Sequence, residues 1–151
     1  MSDNHETLRT VKVWDLPTRL FHWTLVALII AQWLTAQSSG TMTYHVWGGY
    51  AVLTLVLFRV VWGVVGSDTA RFSHFVRGPG AALNYVNALL RGETPLYLGH
   101  NPMGGWSIVA MLVLLLIQAG TGLFANDDIT IEGPLYSWVS KNTSDWLTTI
   151  H

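Results

Sequence analysis

The sequence predicts an all-α membrane protein, an up-and-down transmembrane helix bundle in which three spans and the start of a fourth are present. Half of the 151 residues are hydrophobic and only 11% are charged, which is too apolar a composition for a soluble domain of this size. Three apolar segments, at residues 20–36, 46–65 and 106–125, are long enough to cross about 30 Å of hydrocarbon. Two histidines, His22 and His45, lie at the starts of the first two spans.

Composition and charge exclude several classes of function. The formal net charge is −1 and no run of basic residues occurs, so no nucleic acid partner is expected. The chain has no cysteine, which excludes disulfide bonds, iron–sulfur clusters and thiolate zinc sites. Any bound metal or haem therefore depends on histidine, methionine or oxygen ligands.

The positions of the basic residues predict the orientation of the spans, because lysine and arginine beside a span resist translocation. The loop at residues 37–44 has neither, and only Lys141 follows the third span. The other basic residues outside the spans precede the first span or lie between the second and third: Arg9, Lys12, Arg19, Arg71, Arg77 and Arg91. The amino terminus is therefore predicted to be cytoplasmic, with His45 at the outer face. The first span also has features of a secretory signal, but its length and the two later spans favour a retained helix.

Two segments outside the spans have patterns of their own. Residues 66–105 form a predicted cytoplasmic linker, in which helical spacing of apolar residues over 82–90 indicates a short helix on the membrane surface. Asn101 and Pro102 have the residue types expected for the cap and first turn of the third span. Residues 126–151 form a polar and aromatic segment at the outer face. Its end at His151 is predicted to be the opening turn of a fourth span, and the sequence is expected to stop before the rest of that helix.

Histidines near the ends of separate spans predict a haem site. An imidazole in hydrocarbon is costly and is by default functional, and haem iron in membrane bundles is held by two imidazoles from facing helices. His45 and His151 both fall at the predicted outer face on different helices, so they are expected to be the axial ligands of one haem. His22 lies at the inner face, and its partner is expected further along the fourth span. The alternative for His22 and His45 is an interfacial ring hydrogen-bonded to water.

Gly49 and Arg59 share the helical face of His45. Gly49 lies one turn from His45 and leaves room for a flat macrocycle, with further clearance at Gly48. Arg59 lies toward the inner leaflet, where a buried arginine is costly and a haem propionate is a natural counter-charge. The alternative is that the Arg59 side chain extends to the cytoplasmic headgroups.

Other polar residues are interpreted as structural. His100 is interpreted as part of a turn and cap near the edge of an inner cofactor, His74 as a headgroup contact, and His5 as part of a mobile polar tail. Gln32 and Gln118, inside spans, are predicted to form hydrogen bonds between helices. The sequence contains no Walker loop, H-E-x-x-H, G-x-S-x-G or G-x-G-x-x-G motif.

Several short motifs, taken together, are specific for one group of membrane proteins. They are VWDLPTRLFHW at 13–23, His45 with Gly49, RVVWG at 59–63, ARFS at 70–73, GHNPMG at 99–104 and TGLF at 121–124. With these motifs the chain resembles the bacterial membrane-integral b-type cytochromes, the cytochrome b561 and nickel–iron hydrogenase b-subunit family. The resemblance covers essentially the whole chain.

The resemblance implies a bundle of four membrane helices that carries two b haems, one near each face. It implies that His22 pairs with a histidine deep in the fourth helix and that His45 pairs with one at its start, which His151 matches. Because the sequence lacks nearly all of that helix, two haems b are expected in the full-length protein and no more than one in the chain as given. A quinone is a further expected cofactor.

The predicted function is electron transfer between a quinone pool and a redox protein, such as a c-type cytochrome or a hydrogenase, in a respiratory chain. The chain is predicted to be an electron-transfer protein or an oxidoreductase subunit of the bacterial cytoplasmic membrane, in contact with lipid and able to form a homo-oligomer. Two alternatives stay open. One is a membrane anchor without haem that docks a soluble redox enzyme, and the other is a metal or proton transporter that uses His22, His45 and Arg59.

Overall fold

The computed structural model describes residues 14–93, 96–97, 99–126, 128 and 132–151. Over these residues the chain is helical, as the sequence predicts, and an isolated bridge between Asn126 and Glu132 is the only β pairing in these ranges. Two 3₁₀ turns lie at Ser39–Thr41 and Tyr136–Trp138. The α-helices are α1 (Leu16–Thr35), α2 (Met42–Val65), α3 (Phe72–Phe75), α4 (Pro79–Leu90), α5 (Pro102–Gly122) and α6 (Lys141–Ile150).

Side-chain caps begin two of the long helices. The carboxylate of Asp15 accepts a hydrogen bond of 2.9 Å from the amide of Thr18 at the start of α1. Asn101 caps α5 in the same way, and its side-chain oxygen lies 2.7 Å from the amide of Gly104. Pro102 follows as the first residue of α5, where its missing N–H costs nothing. The predicted cap and first turn of this helix are confirmed.

Helix α2 is the centre of the bundle and packs against both α1 and α5. The core is formed by Phe21 of α1, Val52 and Val56 of α2, and Leu112 of α5. The buried stripe of α2 recurs every three or four residues and continues to Arg59, so one helical face points inward along its length.

Two stretches are long and apolar enough to cross a membrane, Ser39–Val65 with a mean hydropathy of 1.8 and Pro102–Gly122 with 1.9. Few of their residues are buried inside the protein, as expected for helices that contact lipid on their outer faces. Helix α1 is also long enough, but polar residues such as Arg19, His22 and Gln32 lower its hydropathy below that of the other two. A first span at residues 20–36 therefore stays a prediction.

The segment between α2 and α5 forms the short helices α3 and α4. Helix α3 packs against α2 and α5, and α4 packs against α5. Helix α4 confirms the helix predicted over residues 82–90 and begins earlier, at Pro79. Its location on a membrane surface stays a prediction. Arg9 and Lys12, used above to predict the orientation, and His5 lie outside the described residues.

The segment after α5 turns back and places α6 against α5. The fully buried Ser144 of α6 donates a hydrogen bond of 2.6 Å to the carbonyl of Phe124. The hydroxyl of Thr148 accepts a hydrogen bond of 3.0 Å from the amide of Asn126. These bonds fix the last turn of α6, and with it His151, relative to the end of α5.

Candidate functional site

The predicted site residues fall at two ends of the bundle. The His45 end is formed by the last turns of α1 and α5, the first turns of α2, and α6. The Arg59 end is formed by the start of α1, the end of α2 and the start of α5. His45, Gly49 and His151 lie at the first end, and His22 and Arg59 lie at the second.

The rings of His45 and His151 are neighbours. Their centroids are 5.9 Å apart and their planes are inclined by 77°. A metal–imidazole nitrogen bond is about 2 Å long, so two such bonds plus the radii of the two rings come close to this separation. The structure thus brings together the two residues that the sequence predicts as a ligand pair, at a distance suited to one shared metal ion.

Backbone carbonyls orient both rings through Nδ1. His45 Nδ1 lies 3.1 Å from the carbonyl oxygen of Gln32 on α1, and His151 Nδ1 lies 2.7 Å from that of Gln118 on α5. Because a carbonyl oxygen only accepts hydrogen bonds, Nδ1 carries the proton in each ring. In the neutral ring Nε2 is then the nitrogen with a free lone pair, and within the described residues neither Nε2 has a hydrogen-bond partner. Such bonds fix the tautomer and orientation of histidines that ligate metals.

A cavity of about 520 Å³ opens beside the two rings, between α1, α2 and α5. Its volume lies within the range of about 300–1,000 Å³ that is usual for cofactor sites. His45, Gly49 and His151 line it together with apolar side chains such as Ile29 and Leu115. The cavity therefore offers an apolar space with two imidazoles at its wall.

Among the glycines that line the cavity, Gly122 and Gly49 have different consequences. A Cβ atom on Gly122 of α5 would lie 2.7 Å from Cε1 of His151, so only glycine permits this close approach of the ring. A Cβ on Gly49 would meet its nearest atom, Nε2 of Gln32, at 3.5 Å, an ordinary contact. The packing of the His151 ring thus requires glycine at position 122, whereas glycine at position 49 leaves space in the cavity.

The donor set fits haem better than a bare metal ion. Over the residues that the structure describes, no group of three or more histidine, aspartate or glutamate side chains is placed to hold a metal. A zinc ion needs about four ligands, and two imidazoles leave the others unfilled. A porphyrin supplies its own equatorial nitrogens, so haem iron needs only axial ligands from the protein.

Arg59 is buried at the other end of the bundle, with 4% of its surface exposed. Its guanidinium lies over the ring of Phe72, 4.9 Å from the centroid, and 5.9 Å from that of Phe75. Nη1 is buried and has no hydrogen-bond partner among the described residues. The alternative in which this side chain extends to the headgroups is wrong, because the guanidinium is held inside the bundle. A buried donor without an acceptor is costly, so an anionic group beside Nη1 would be stabilised.

Asp15 organises the start of α1. Its carboxylate accepts hydrogen bonds from Trp62 Nε1 at 2.9 Å and from Ser67 Oγ at 2.6 Å, which join α1 to the end of α2. Partial burial raises the pKa of Asp15, but the hydrogen bonds from Ser67, Thr18 and Trp62 outweigh it and bring the pKa down to about 2. The ionised carboxylate also attracts Arg59 electrostatically.

Two histidines lie near this network. His22 is exposed, and its ring centroid is 6.1 Å from that of Trp14. His100 stacks on the same Trp14 ring at 5.9 Å and lies 5.3 Å from Phe75. Burial and the positive charge of Arg59 lower the pKa of His100, which favours the neutral ring. The ring of His100 thus packs at this end of the bundle, and its expected location near an inner cofactor stays a prediction.

The sequence leaves three contributions unpredicted. Gln32 and Gln118 are predicted to bond between helices, and Gln118 Nε2 does donate to the carbonyl of His151, but the anchoring of the rings by their backbone carbonyls has no sequence signal. The requirement for glycine at 122 depends on a contact with the distant α6. Asp15 precedes a leucine–proline pair, which is a signal for a helix cap and could have located it.

Comparison with known proteins identifies one family. A family model described as prokaryotic cytochrome b561 matches residues 13–151, which confirms the resemblance seen in the short motifs. No curated protein and no solved structure matches the chain. Members of the family are membrane helix bundles that bind haem b and transfer electrons as b-type cytochromes. With nearly its whole length matched, the chain belongs to the prokaryotic cytochrome b561 family.

Proposed function

We propose that this protein is a di-haem b-type cytochrome whose His45 and His151 are the axial ligands of one haem. The observation that carries the proposal is the pair of neighbouring rings, 5.9 Å apart, with both Nδ1 atoms bonded to backbone carbonyls. Bound haem supplies one-electron chemistry at its iron. The chain supplies the two nitrogen ligands, their orientation and an apolar cavity in which Gly49 leaves room for the macrocycle.

The second haem is assigned to the Arg59 end, with His22 as one axial ligand. In the described residues no second histidine stands against the His22 ring, and His100 contacts Trp14 instead. We assign the other ligand to a histidine of a fourth membrane helix. The support is the position of His22 at the end of α1 opposite to the His45 pair.

Arg59 is assigned to a haem propionate. Its guanidinium is buried, and Nη1 has no acceptor among the described residues, so a carboxylate of the cofactor would complete its hydrogen bonding. Asp15 already has three hydrogen-bond donors and acts on Arg59 only through its field. The positive charge of Arg59 would also favour the reduced state of a nearby haem.

The proposed physiological role is electron transfer between a quinone pool and a redox protein, with a c-type cytochrome or a hydrogenase as the partner. The proposed location is the bacterial cytoplasmic membrane, with the amino terminus inside and the His45 end outside. The distribution of arginine supports this orientation, because Arg71, Arg77 and Arg91 all follow α2, on the side of the Arg59 end. We also propose that the protein binds a quinone and that it can form a homo-oligomer.

The test is the reduced-minus-oxidised absorption spectrum of membranes that contain the full-length protein. We expect two b-type components in a redox titration, with His45→Ala and His151→Ala each removing the same component and His22→Ala removing the other. His74→Ala is the matched control, because this histidine is exposed on α3 and should leave the spectrum unchanged. Unchanged spectra in His45→Ala and His151→Ala would contradict the ligand assignment, and a protein without any haem band would favour the membrane anchor.

A further inference from the structure

A second cavity, the side groove, lies on the flank of the bundle away from the histidine pair. It has a volume of about 420 Å³ and is formed by α2, α3, α5 and the residue after α3. Its walls are almost wholly apolar, and Ser73 is the polar residue among them. The walls include Val60, Phe72, Val76, Val109, Val113 and Leu116.

The side groove lies along helices that are apolar enough to cross a membrane, so in a bilayer it would face hydrocarbon rather than water. Val60 belongs to the stretch Ser39–Val65, and Val109 and Val113 belong to Pro102–Gly122. Val113 is about half exposed (48%), so the groove is open to the surroundings of the bundle. Association of apolar surfaces within a bilayer is stabilised by close van der Waals packing. A groove offers a flexible acyl chain more such contacts than a flat helix face does.

Three basic residues adjoin the side groove at the Arg59 end. Arg71, His74 and Arg77 directly follow or precede the lining residues Phe72, Ser73 and Val76 in the chain. This rim faces the side of the membrane to which the other arginines are assigned. Such basic groups next to a membrane helix attract anionic headgroups.

The two arginines of the rim differ in their partners. Arg71 donates through Nη2 to Asp68, but its buried Nε has no partner among the described residues. Arg77 forms no ion pair within the described residues, and its carbonyl accepts a hydrogen bond of 2.8 Å from Trp106 Nε1, which fixes its backbone beside the start of α5. Because Arg71 and Arg77 directly adjoin lining residues in the chain, they supply positive charge beside an apolar groove, which matches a phosphate that carries an acyl chain.

We propose that the side groove binds an anionic phospholipid, with one acyl chain between α2 and α5 and the phosphate at Arg71 and Arg77. The basic rim selects this occupant over a zwitterionic lipid, whose headgroup has no net charge. It also disfavours a second copy of the chain, whose own rim would bring like charges together. The site does not depend on haem or on the histidine ligands, so it goes beyond the proposed function.

The test is native mass spectrometry of the full-length protein, purified in mild detergent from bacterial membranes, with bound phospholipids counted by class. We expect wild-type protein to retain an anionic phospholipid in preference to phosphatidylethanolamine. Removing one arginine should lower the retained anionic lipid about fivefold, and Arg71→Gln with Arg77→Gln about 25-fold. Arg91→Gln is the matched control, because it removes the same charge at the far end of α4 and should change nothing.

A second pair of variants tests the apolar part of the site. Val113→Trp fills the groove without altering its rim, and we expect it to displace the lipid. Leu114→Trp is the control, since Leu114 is exposed on the same helix and does not line the groove. Equal lipid retention in Val113→Trp and Leu114→Trp would overturn the proposal, as would equal losses in the rim variants and in Arg91→Gln.

A measurement on unmodified protein keeps the proposal testable if a variant fails to fold. Delipidated wild-type protein is titrated with phosphatidylglycerol or phosphatidylcholine that carries brominated acyl chains, which quench nearby tryptophans. We expect phosphatidylglycerol to quench at lower concentration, and Trp106→Phe to remove a large part of that quenching because Trp106 adjoins Arg77. Equal quenching by the two lipids would overturn the proposal. So would a dimer, detected by light scattering, in which neither lipid quenches Trp106.

Discussion

The two ends of the helix bundle offer a haem different kinds of group. The His45 end has two neighbouring imidazoles, each held through Nδ1 by a backbone carbonyl of another helix. The Arg59 end has one exposed histidine, a buried guanidinium and a carboxylate with three hydrogen-bond donors. The contacts at the His45 end fix the positions of two imidazoles, whereas those at the Arg59 end hold two charged groups. Substitutions that move atoms should therefore act mainly at the His45 end, and substitutions that change charge mainly at the Arg59 end.

The largest expected effect comes from Gly122→Ala. A methyl group at this position would lie 2.7 Å from the ring of His151, so the ring has to leave its place beside His45. We expect loss of most of the haem component that His45→Ala removes, measured by redox titration of the absorption spectrum.

Gly120→Ala is the control for this prediction. Gly120 lies in the same last turns of α5, but a methyl group there has no atom within 4 Å. It should keep both components and gain helix propensity. The same spectrum for the two alanine variants would show that the close approach at Gly122 does not position the ligand.

A smaller effect is expected from Arg59→Met, which removes the buried charge and keeps much of the side-chain volume. The reduction potential of the haem at the Arg59 end should fall by tens of millivolts, the effect of one charge about 10 Å away at an effective dielectric constant of about 20. Arg59→Lys should retain most of the potential. A shift in the other haem alone would contradict the assignment of Arg59.

Arg59→Met should also change the pKa of His100, which lies outside the spans. Because the charge of Arg59 contributes to the low pKa of His100, Arg59→Met should raise that pKa toward its ordinary value. Titration of the His100 ring by NMR measures this directly. No change would show that burial alone sets the pKa of His100.

The smallest effect is expected from Asp15→Asn, through the bonds that join α1 to α2. Hydrogen bonds bring the pKa of Asp15 down to about 2 from 3.8, so its ionised form stabilises the fold fully above about pH 4, and this contribution is lost as pH falls through 2. Because the carboxylate is partly exposed, we expect a loss of about 1 kcal/mol at pH 6.

Thermal unfolding of the Asp15→Asn variant and wild type should converge as the pH approaches 2. Asp145→Asn is the control, since this exposed carboxylate pairs with Lys141 on the surface of α6. A stability difference that is the same at pH 2 and pH 6 would contradict a role for the charge of Asp15.

Much of the fold could be predicted because hydropathy and local capping act within one segment. The helices at residues 82–90 and after Asn101 are confirmed within a few residues, since apolar spacing and an N-cap side chain are local signals. Helix boundaries shift where neighbouring segments add turns, as in α2, which begins at Met42 rather than at residue 46. Arg59 shows the limit of prediction from sequence. Whether its side chain points into the bundle or extends to the headgroups depends on the residues packed around the guanidinium, which the local sequence does not specify.

The sequence by itself determined an all-helical membrane protein through its hydropathy and the cytochrome b561 family through its short motifs, and it named His45 and His151 as a pair through their residue type and position. Only the tertiary structure decided that the two rings meet, that the carbonyls of Gln32 and Gln118 orient them, and that Arg59 is buried. The physical reason is that these contacts join residues far apart in the chain. Backbone carbonyls are present at every position, and only packing decides which of them faces an imidazole.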